Sequence, residues 1–299
     1  MAIADRRLDP GTEAFVAHRN LLFTVAYELL GSAADAEDVL QETWLRWANV
    51  DLDTVRDQRA YLIRIITRQA LDRLRALGRR RESYVGSWLP EPLLTAPDVA
   101  DDVELADSVS MAMLLVLETL TPPERAVFVL RDVFGLGYEE IAAAVEKSPA
   151  AVRQIAHRSR AHVAARRPRA VASPAETRAA LEAFGRAVET GNLQSLLDIL
   201  APDVVALSDG GGIKPAVRRP IVGAGRVARL LAARWKVVGA QTSVDPVQVN
   251  GCPALIMRRR GEVDSIVAMR IEGGLVTGLY VVRNPAKLSR IDRETALTR

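Results

Sequence analysis

Two stretches decide the fold: Thr121-Pro122-Pro123-Glu124, and Ser148-Pro149-Ala150-Ala151-Val152-Arg153-Gln154-Ile155-Ala156-His157-Arg158-Ser159-Arg160. Each opens a helix with a hydroxyl cap and proline at the first helical position, and the first is also a capping box closed by Glu124. A short turn at Glu146-Lys147 joins them, so residues 121–169 read as a helix-turn-helix. At ~100° per residue, Val152, Ile155, Ala156 and Val163 share one face of the second helix. Ala150, Arg153, Gln154 and His157 share the other. No acid occurs between Glu146 and Glu176, whereas Arg153, Arg158, Arg160, Arg166, Arg167 and Arg169 all do. One face packs, and the opposite face carries the charge of a duplex-binding surface.

The formal net charge of +3 over 299 residues hides this, because acids elsewhere offset charge concentrated on particular helices. Length and a hydrophobic content of 49% predict two or three domains with real cores. No run of ~18 apolar residues and no apolar leader occur, which predicts a cytoplasmic chain without a membrane partner. A single cysteine, Cys252, excludes an internal disulfide and a multi-cysteine metal site, and it is expected to be an inert thiol. No metal or cofactor is implied.

Upstream, Phe15 to Leu77 is helical by period, with breaks at Gly31-Ser32 and Asp51-Leu52-Asp53. From Ser32, Ala36, Leu40, Trp44 and Trp47 form a core face, leaving Asp38, Gln41, Glu42 and Leu45 outside. An acidic face with an exposed leucine fits a basic protein partner. On the helix from Tyr61 to Arg81, Leu62, Ile66, Ala70, Leu74 and Leu77 form the buried stripe. Arg64, Arg68, Arg75 and Arg79 fall within a ~60° arc opposite, an alignment that can follow a phosphate backbone.

Residues 83–107 change texture: Pro90, Pro92 and Pro97 forbid a continuous helix, and Asp98, Asp101 and Asp102 make the segment acidic. It reads as a linker of ~25 residues, able to extend to ~80 Å and so to span DNA elements ~50–55 Å apart. A helix capped at Ser173-Pro174 follows the second helical block. Short β-rich runs come next, at Val204–Leu207, Val244–Val249, Ala254–Arg258, Ser265–Ile271 and Leu275–Val282, which together predict an α+β domain.

Ala34-Asp35-Ala36-Glu37-Asp38-Val39-Leu40-Gln41-Glu42, Tyr61-Leu-Ile-Arg-Ile-Ile-Thr-Arg-Gln-Ala-Leu-Asp-Arg-Leu-Arg75 and the run from Ser148 resemble, in order and spacing, extracytoplasmic-function sigma factors of the sigma-70 family. The resemblance covers about 165 residues. It implies an alternative sigma factor of the stress-response type, with core RNA polymerase (β′ clamp and β) and promoter DNA as partners. Asp35, Asp38, Gln41, Glu42 and Leu45 would then dock on the β′ clamp coiled coil. Asp57, Gln58, Arg64, Arg68, Arg75 and Arg79 would engage the −10 element. Ser148, Arg153, Gln154, His157, Arg158 and Arg160 would meet the −35 major groove. Arg153 and Gln154 have the bidentate chemistry that separates guanine from adenine, and Arg158 and Arg160 suit phosphates. The loop Val50 to Arg59 is where the family holds a flipped −10 base. It offers Asp51, Asp53, Asp57 and Gln58 but no aromatic, so capture by hydrogen bonds is expected over stacking. Glu146 stands where the family commonly has glycine, and a left-handed backbone there costs ~1–2 kcal/mol.

Trp88-Leu-Pro-Glu-Pro-Leu matches the linker signature of the subgroup that carries a fused domain resembling SnoaL and nuclear transport factor 2, a cone-shaped α+β fold. Two more of its motifs are approached: Ser208-Asp209-Gly210-Gly211-Gly212-Ile213-Lys214, with the lysine one place late, and Asn284-Pro285-Ala286-Lys287-Leu288, with alanine replacing an acid. With Trp88, these predict a regulatory set: Asp209, Gly210, Gly211, Gly212, Lys214, Asn284, Pro285 and Lys287. The resemblance implies residues 1–82 as sigma region 2, 83–108 as linker, 109–169 as region 4, 170–290 as the SnoaL-like domain and 291–299 as a tail. No separate anti-sigma factor would then be required. The expected class is a non-enzyme with no catalytic residues. A competing reading gives the C-terminal domain its own ligand-binding or isomerase/cyclase activity through Asp203, Asp209 or Asp264. A third, a ligand-responsive repressor, needs only the helix-turn-helix.

Overall fold

The computed structural model describes residues 9–81, 84–96, 102–166 and 174–299. In chain order the helices begin with α1 (Pro10–Leu30), α2 (Ala33–Trp47) and α3 (Gln58–Arg81). Then come β1 (Leu94–Thr95), α4 (Val103–Val109), α5 (Met111–Leu117), α6 (Pro122–Phe128), α7 (Tyr138–Val145) and α8 (Pro149–Ala164). The C-terminal part holds α9 (Pro174–Thr190), α10 (Leu193–Ile199), β2 (Leu200–Asp209), β3 (Ile221–Val222) and α11 (Ala224–Val238). Strands β4 (Thr242–Val249), β5 (Cys252–Arg259), β6 (Glu262–Glu272) and β7 (Leu275–Val282), helix α12 (Pro285–Leu288) and β8 (Glu294–Thr295) complete it. These elements form two compact units: residues 1–78 with 118–165 and 297–299, and residues 79–117 with 166–296.

In the first unit the local signals behave as the sequence predicts. Asp9 caps α1 through the Gly11 and Thr12 amides, Pro10 occupies its first position, and Gly31 ends it in a left-handed turn at φ 67°. Ser32 caps α2 by accepting from the Asp35 amide at 3.2 Å. Glu124 Oε2 accepts from both the amide and the hydroxyl of Thr121, closing the capping box. The apolar stripe of α3 is buried at Leu62, Ile66, Ala70 and Leu74, while Leu77 is half-buried. Trp44 is likewise half-buried, its ring tilted against Phe15 at 5.0 Å. The helix from Thr121 departs from expectation by passing into a π-helical turn at Val129–Val133. Arg125 is fully buried there, donating to the Glu28 carbonyl and paired with Glu118.

The second unit is built on one eight-stranded sheet in the order β3-β2-β7-β6-β5-β4-β1-β8. Both of its faces are covered. Phe184, Ala187 and Val188 of α9, Leu196 of α10 and Val227 of α11 pack with Leu255, Val267, Met269 and Leu279 on one face. The other face carries Ala254, Ile256, Ile266, Ala268 and Tyr280, packed with Leu89, Met111, Leu288 and Ile291. Residues of opposite parity thus meet different covers, which is why Ala254–Met257 and Ile266–Met269 run apolar without alternation. All five predicted strands are present. Ala201-Pro202-Asp203 lies within β2, where the pairing with β7 shifts register between Leu200 and Val205.

Two expected boundaries meet a different arrangement. Where an extended linker is expected, Leu94 pairs with Val249 and Glu294, and Leu89, Glu91, Leu93 and Thr95 are buried. Asn250 clamps this segment, accepting from the Leu93 amide at 3.0 Å and donating to the Val109 carbonyl at 2.8 Å. The apolar face that the linker covers would otherwise be left in water, and its burial opposes extension of the chain. Where a tail is expected after residue 290, β8 pairs in parallel with β1 and Leu297 is buried. Burial also raises the Cys252 thiol to about 12, in keeping with an inert role.

Candidate functional site

On α2, Asp38, Gln41 and Glu42 are exposed and Leu45 is 64% exposed, so the outer face presents acid around an unpartnered leucine. Asp35 and Asp38 share Arg73 of α3, at 2.6 and 2.8 Å. That ion pair orients the N-terminal part of the face and leaves Glu42 at the other end. Asp57 accepts from the Ala60 amide at 3.0 Å and so caps α3, while Asp51 accepts from the Asp53 amide at 3.2 Å. Of the four arginines aligned on α3, Arg64 lies over the Tyr61 ring at 4.4 Å and Arg75 pairs with Asp72. Arg68 donates to the Ala143 carbonyl at 2.8 Å and approaches Glu146 at 3.4 Å. The Arg79 side chain, together with Arg167, Arg169 and the cap at Ser173, lies outside the described residues.

The helix-turn-helix is formed by α7 and α8; the helix capped at Thr121, expected to be its first helix, ends with the turn at Val129–Val133, and α7 restarts at Tyr138 after Gly135 and Gly137 break the helical run. Glu146 ends α7 at φ 56° and ψ 49°, the left-handed conformation anticipated from the missing glycine. Ser148 caps α8 by accepting from the Ala151 amide at 3.2 Å, which commits one lone pair of the hydroxyl. Val152, Ile155, Ala156 and Val163 are buried, and Arg153, Gln154, His157, Arg158 and Arg160 are exposed. Arg160 is held by Asp132 at 2.6 Å, and that hydrogen bond raises the pKa of the guanidinium. Arg153 approaches Glu139 at 3.9 Å and lies 5.8 Å from the centre of the Tyr138 ring.

The second unit brings the three predicted motifs together around one carboxylate. Asp209 ends β2 fully buried. Its Oδ1 accepts from the Tyr84 hydroxyl at 2.6 Å and the Gly211 amide at 2.9 Å. Its Oδ2 accepts from the Leu89 amide at 3.0 Å and Lys287 Nζ at 2.8 Å. Lys287 also donates to the Leu89 carbonyl and lies over the Trp88 ring at 4.2 Å. Asn284 donates to the Tyr84 hydroxyl at 3.0 Å and caps α12 through the Ala286 amide at 3.1 Å. A buried charge with four donors is a satisfied one. The glycines belong to this packing: a Cβ on Gly211, at φ 63°, would sit 2.5 Å from the Asn284 side chain, and one on Gly210 would strike the Lys214 carbonyl. Gly212 packs beside Val85.

Tyr84 is not among the residues that the sequence singles out. Burial, reinforced by Asp209, raises its pKa, so the phenol remains a donor. Its spacing four residues before Trp88 is the available signal. Lys214 does not join the cluster, since its ammonium meets the Asp264 carboxylate at 3.3 Å and the Asp264 carbonyl at 3.2 Å. Ala286 and Pro285 are exposed, so the missing acid of that motif faces away from Asp209. Asp203 is exposed, and Asp264 is engaged by Arg283, Arg234 and Lys214. Burial opposes the Asp264 carboxylate, but Arg283 and Lys214 outweigh it and hold the carboxyl below its ordinary range. Asp209 and Asp264 are thus taken up by donors from the chain itself, and Asp203 lies at the surface outside the apolar core. No group of metal-ligating side chains and no helix long and apolar enough to cross a membrane occur among the described residues.

An acidic helix, an arginine-lined helix and a helix-turn-helix, followed by an α+β domain, define a promoter-recognition factor with an added module. Residues 14–80 match the family Sigma-70 region 2, and residues 110–163 match Sigma-70, region 4. The ECF RNA polymerase sigma factor SigJ of Mycobacterium tuberculosis H37Rv is 36% identical over 298 residues, covering 92% of each chain. The probable ECF RNA polymerase sigma factor SigI of the CDC 1551 strain is 32% identical, covering 96% of this chain and 97% of its own. The crystal structure of M. tuberculosis SigJ superposes with a TM-score of 0.76 at 32% identity, over 94% of this chain and 99% of that one. The chain belongs to the extracytoplasmic-function sigma factors of the sigma-70 family. It is therefore a transcription initiation factor rather than an enzyme, with two helical sigma regions followed by an α+β domain.

Proposed function

We propose that the chain acts in the cytoplasm, binding core RNA polymerase through the acidic face of α2 and reading promoters through α3 and α8. The SnoaL-like domain sets its output by holding the linker, in place of a separate anti-sigma protein. In this reading residues 1–82 and 109–169 serve as the −10 and −35 modules, and residues 83–108 pass between a held and a released state. The observation that carries the reading is Asp209, whose carboxylate binds the Tyr84 hydroxyl and the Leu89 amide of the linker as well as Lys287. Both elements of the fused domain that resemble subgroup motifs converge on that one segment. A tether also keeps the hold at ~mM effective concentration, so weak contacts suffice.

Run-off transcription with purified core polymerase tests it, comparing the full chain with the paired variant Asn284→Ala, Lys287→Met and with a chain stopped after Arg169. The paired variant should change promoter output at unchanged core binding, with faster hydrogen exchange around Trp88. Removal of the domain should abolish that control while leaving measurable core binding. Output equal to wild type at equal protein level, with exchange around Trp88 unchanged, overturns the reading.

A further inference from the structure

Between α11 and the helix-covered face of the sheet lies a cavity of about 270 Å³. Its walls are apolar: Phe184, Val227, Leu231, Trp235, Leu255 and Leu279 are among them. At a water's share of ~30 Å³ per group, such a space holds roughly nine non-hydrogen atoms. A concave apolar surface of this size favours the burial of a hydrocarbon group.

One end of the cavity differs from the rest. Arg283 and Arg234 both line it, and no carboxylate among the described residues does. The Arg283 side chain is 8% exposed; it donates to the Pro215 carbonyl and to Asp264, but its Nε makes no hydrogen bond. A buried guanidinium N–H without an acceptor is expensive to leave so. Arg234, at the rim with its side chain 42% exposed, reaches Asp264 only at 3.5 Å. Lys214 shares the same carboxylate at 3.3 Å. Three cations therefore converge on a single acid, and the polar end keeps an excess of positive charge.

We infer that this cavity binds a small apolar carboxylate, with its hydrocarbon body against the walls and its carboxylate accepting from Arg283 Nε and the Arg234 fork. Guanidinium favours a carboxylate over a neutral hydroxyl because two charge-assisted hydrogen bonds form in one plane. A neutral apolar molecule would fill the space but leave Arg283 Nε unpartnered. This assignment stands apart from the linker-holding role of Asp209 and is tested without transcription.

Calorimetric titration of the full chain with octanoate, 1-octanol and acetate decides it. Octanoate should bind about tenfold or more tightly than 1-octanol, the expected worth of hydrogen bonds to a charged group, and acetate should not compete. Arg283→Met should lower octanoate affinity to that of 1-octanol while leaving 1-octanol unchanged. Arg234→Met, at the exposed rim, should weaken octanoate alone and serves if the buried variant does not fold. Leu231→Trp, which fills the cavity, should abolish both. Equal affinity for acid and alcohol, undiminished octanoate binding by the arginine variants, binding that survives Leu231→Trp, or no binding at all overturns the assignment.

Discussion

The acidic face of α2 and the Asp209 cluster are both built on carboxylates, yet they are opposites in environment. Asp38 is 57% exposed beside Arg73, whereas Asp209 has no exposure and four donors. An exposed carboxylate in water contributes little to its own fold, so its identity is available for a partner. A buried one must be satisfied by the chain itself, and removing it leaves its donors stranded. In the proposed function the same residue type is thus an address on one unit and a fastening on the other.

The sharpest way to break this contrast is charge reversal. Asp38→Lys with Glu42→Lys should abolish co-purification with core polymerase while unfolding in urea shifts by less than ~1 kcal/mol. Undiminished core binding would remove α2 from the interface. Asp209→Ala should behave in the reverse sense, costing ~3–5 kcal/mol in urea unfolding because Lys287, Tyr84 and the Leu89 amide lose their acceptor. A cost below ~1 kcal/mol would show that the cluster is no more demanding than the surface.

The helix-turn-helix allows a finer test within one exposed face. Arg153→Ala should alter preference at a single −35 position, by ~1–3 kcal/mol of discrimination. Arg160, fixed by Asp132, should act on the backbone, so Arg160→Ala weakens all sequences alike and flattens the salt dependence by about one counterion. Identical base profiles for wild type and Arg153→Ala, in a binding assay over randomised promoters, would move the reading face elsewhere. The smallest effect expected is from Glu146→Gly, which relieves a left-handed residue and should raise stability by ~1 kcal/mol, less the exposed pair with Arg68. No gain would mean that the Arg68 contact compensates the strain.

Much of the first unit was legible in the chain. Proline-led caps at Thr121 and Ser148 and a period of ~3.6 residues placed the helices, and the same period separated Val152 and Ile155 from Arg153 and Gln154. Each signal acts within one or two turns, so the local sequence contains it whole. The linker was legible only in part. Its prolines correctly forbade a continuous helix, α4 forming only after the last of them, but its fate depended on the apolar runs Ala254–Met257 and Ile266–Met269, about 150 residues downstream. Their lack of alternation announces a sheet covered on both faces. It does not say by what.

By itself, then, the sequence determined the long helices of the first unit, the five long strands and the charged faces, because these follow from neighbours within a few residues, whereas α7, α10, α11 and the short strands β1, β3 and β8 were not read from it. Tertiary structure alone decided that Tyr84 and Leu89 share a carboxylate with Lys287 about 200 residues away, that Lys214 turns to Asp264, and that Arg283 keeps an unpartnered N–H beside an apolar cavity. The physical reason is that satisfying a buried charge is a property of the closed fold. Which donors reach it depends on how the strands and the linker come together, and spacing along the chain carries no record of that.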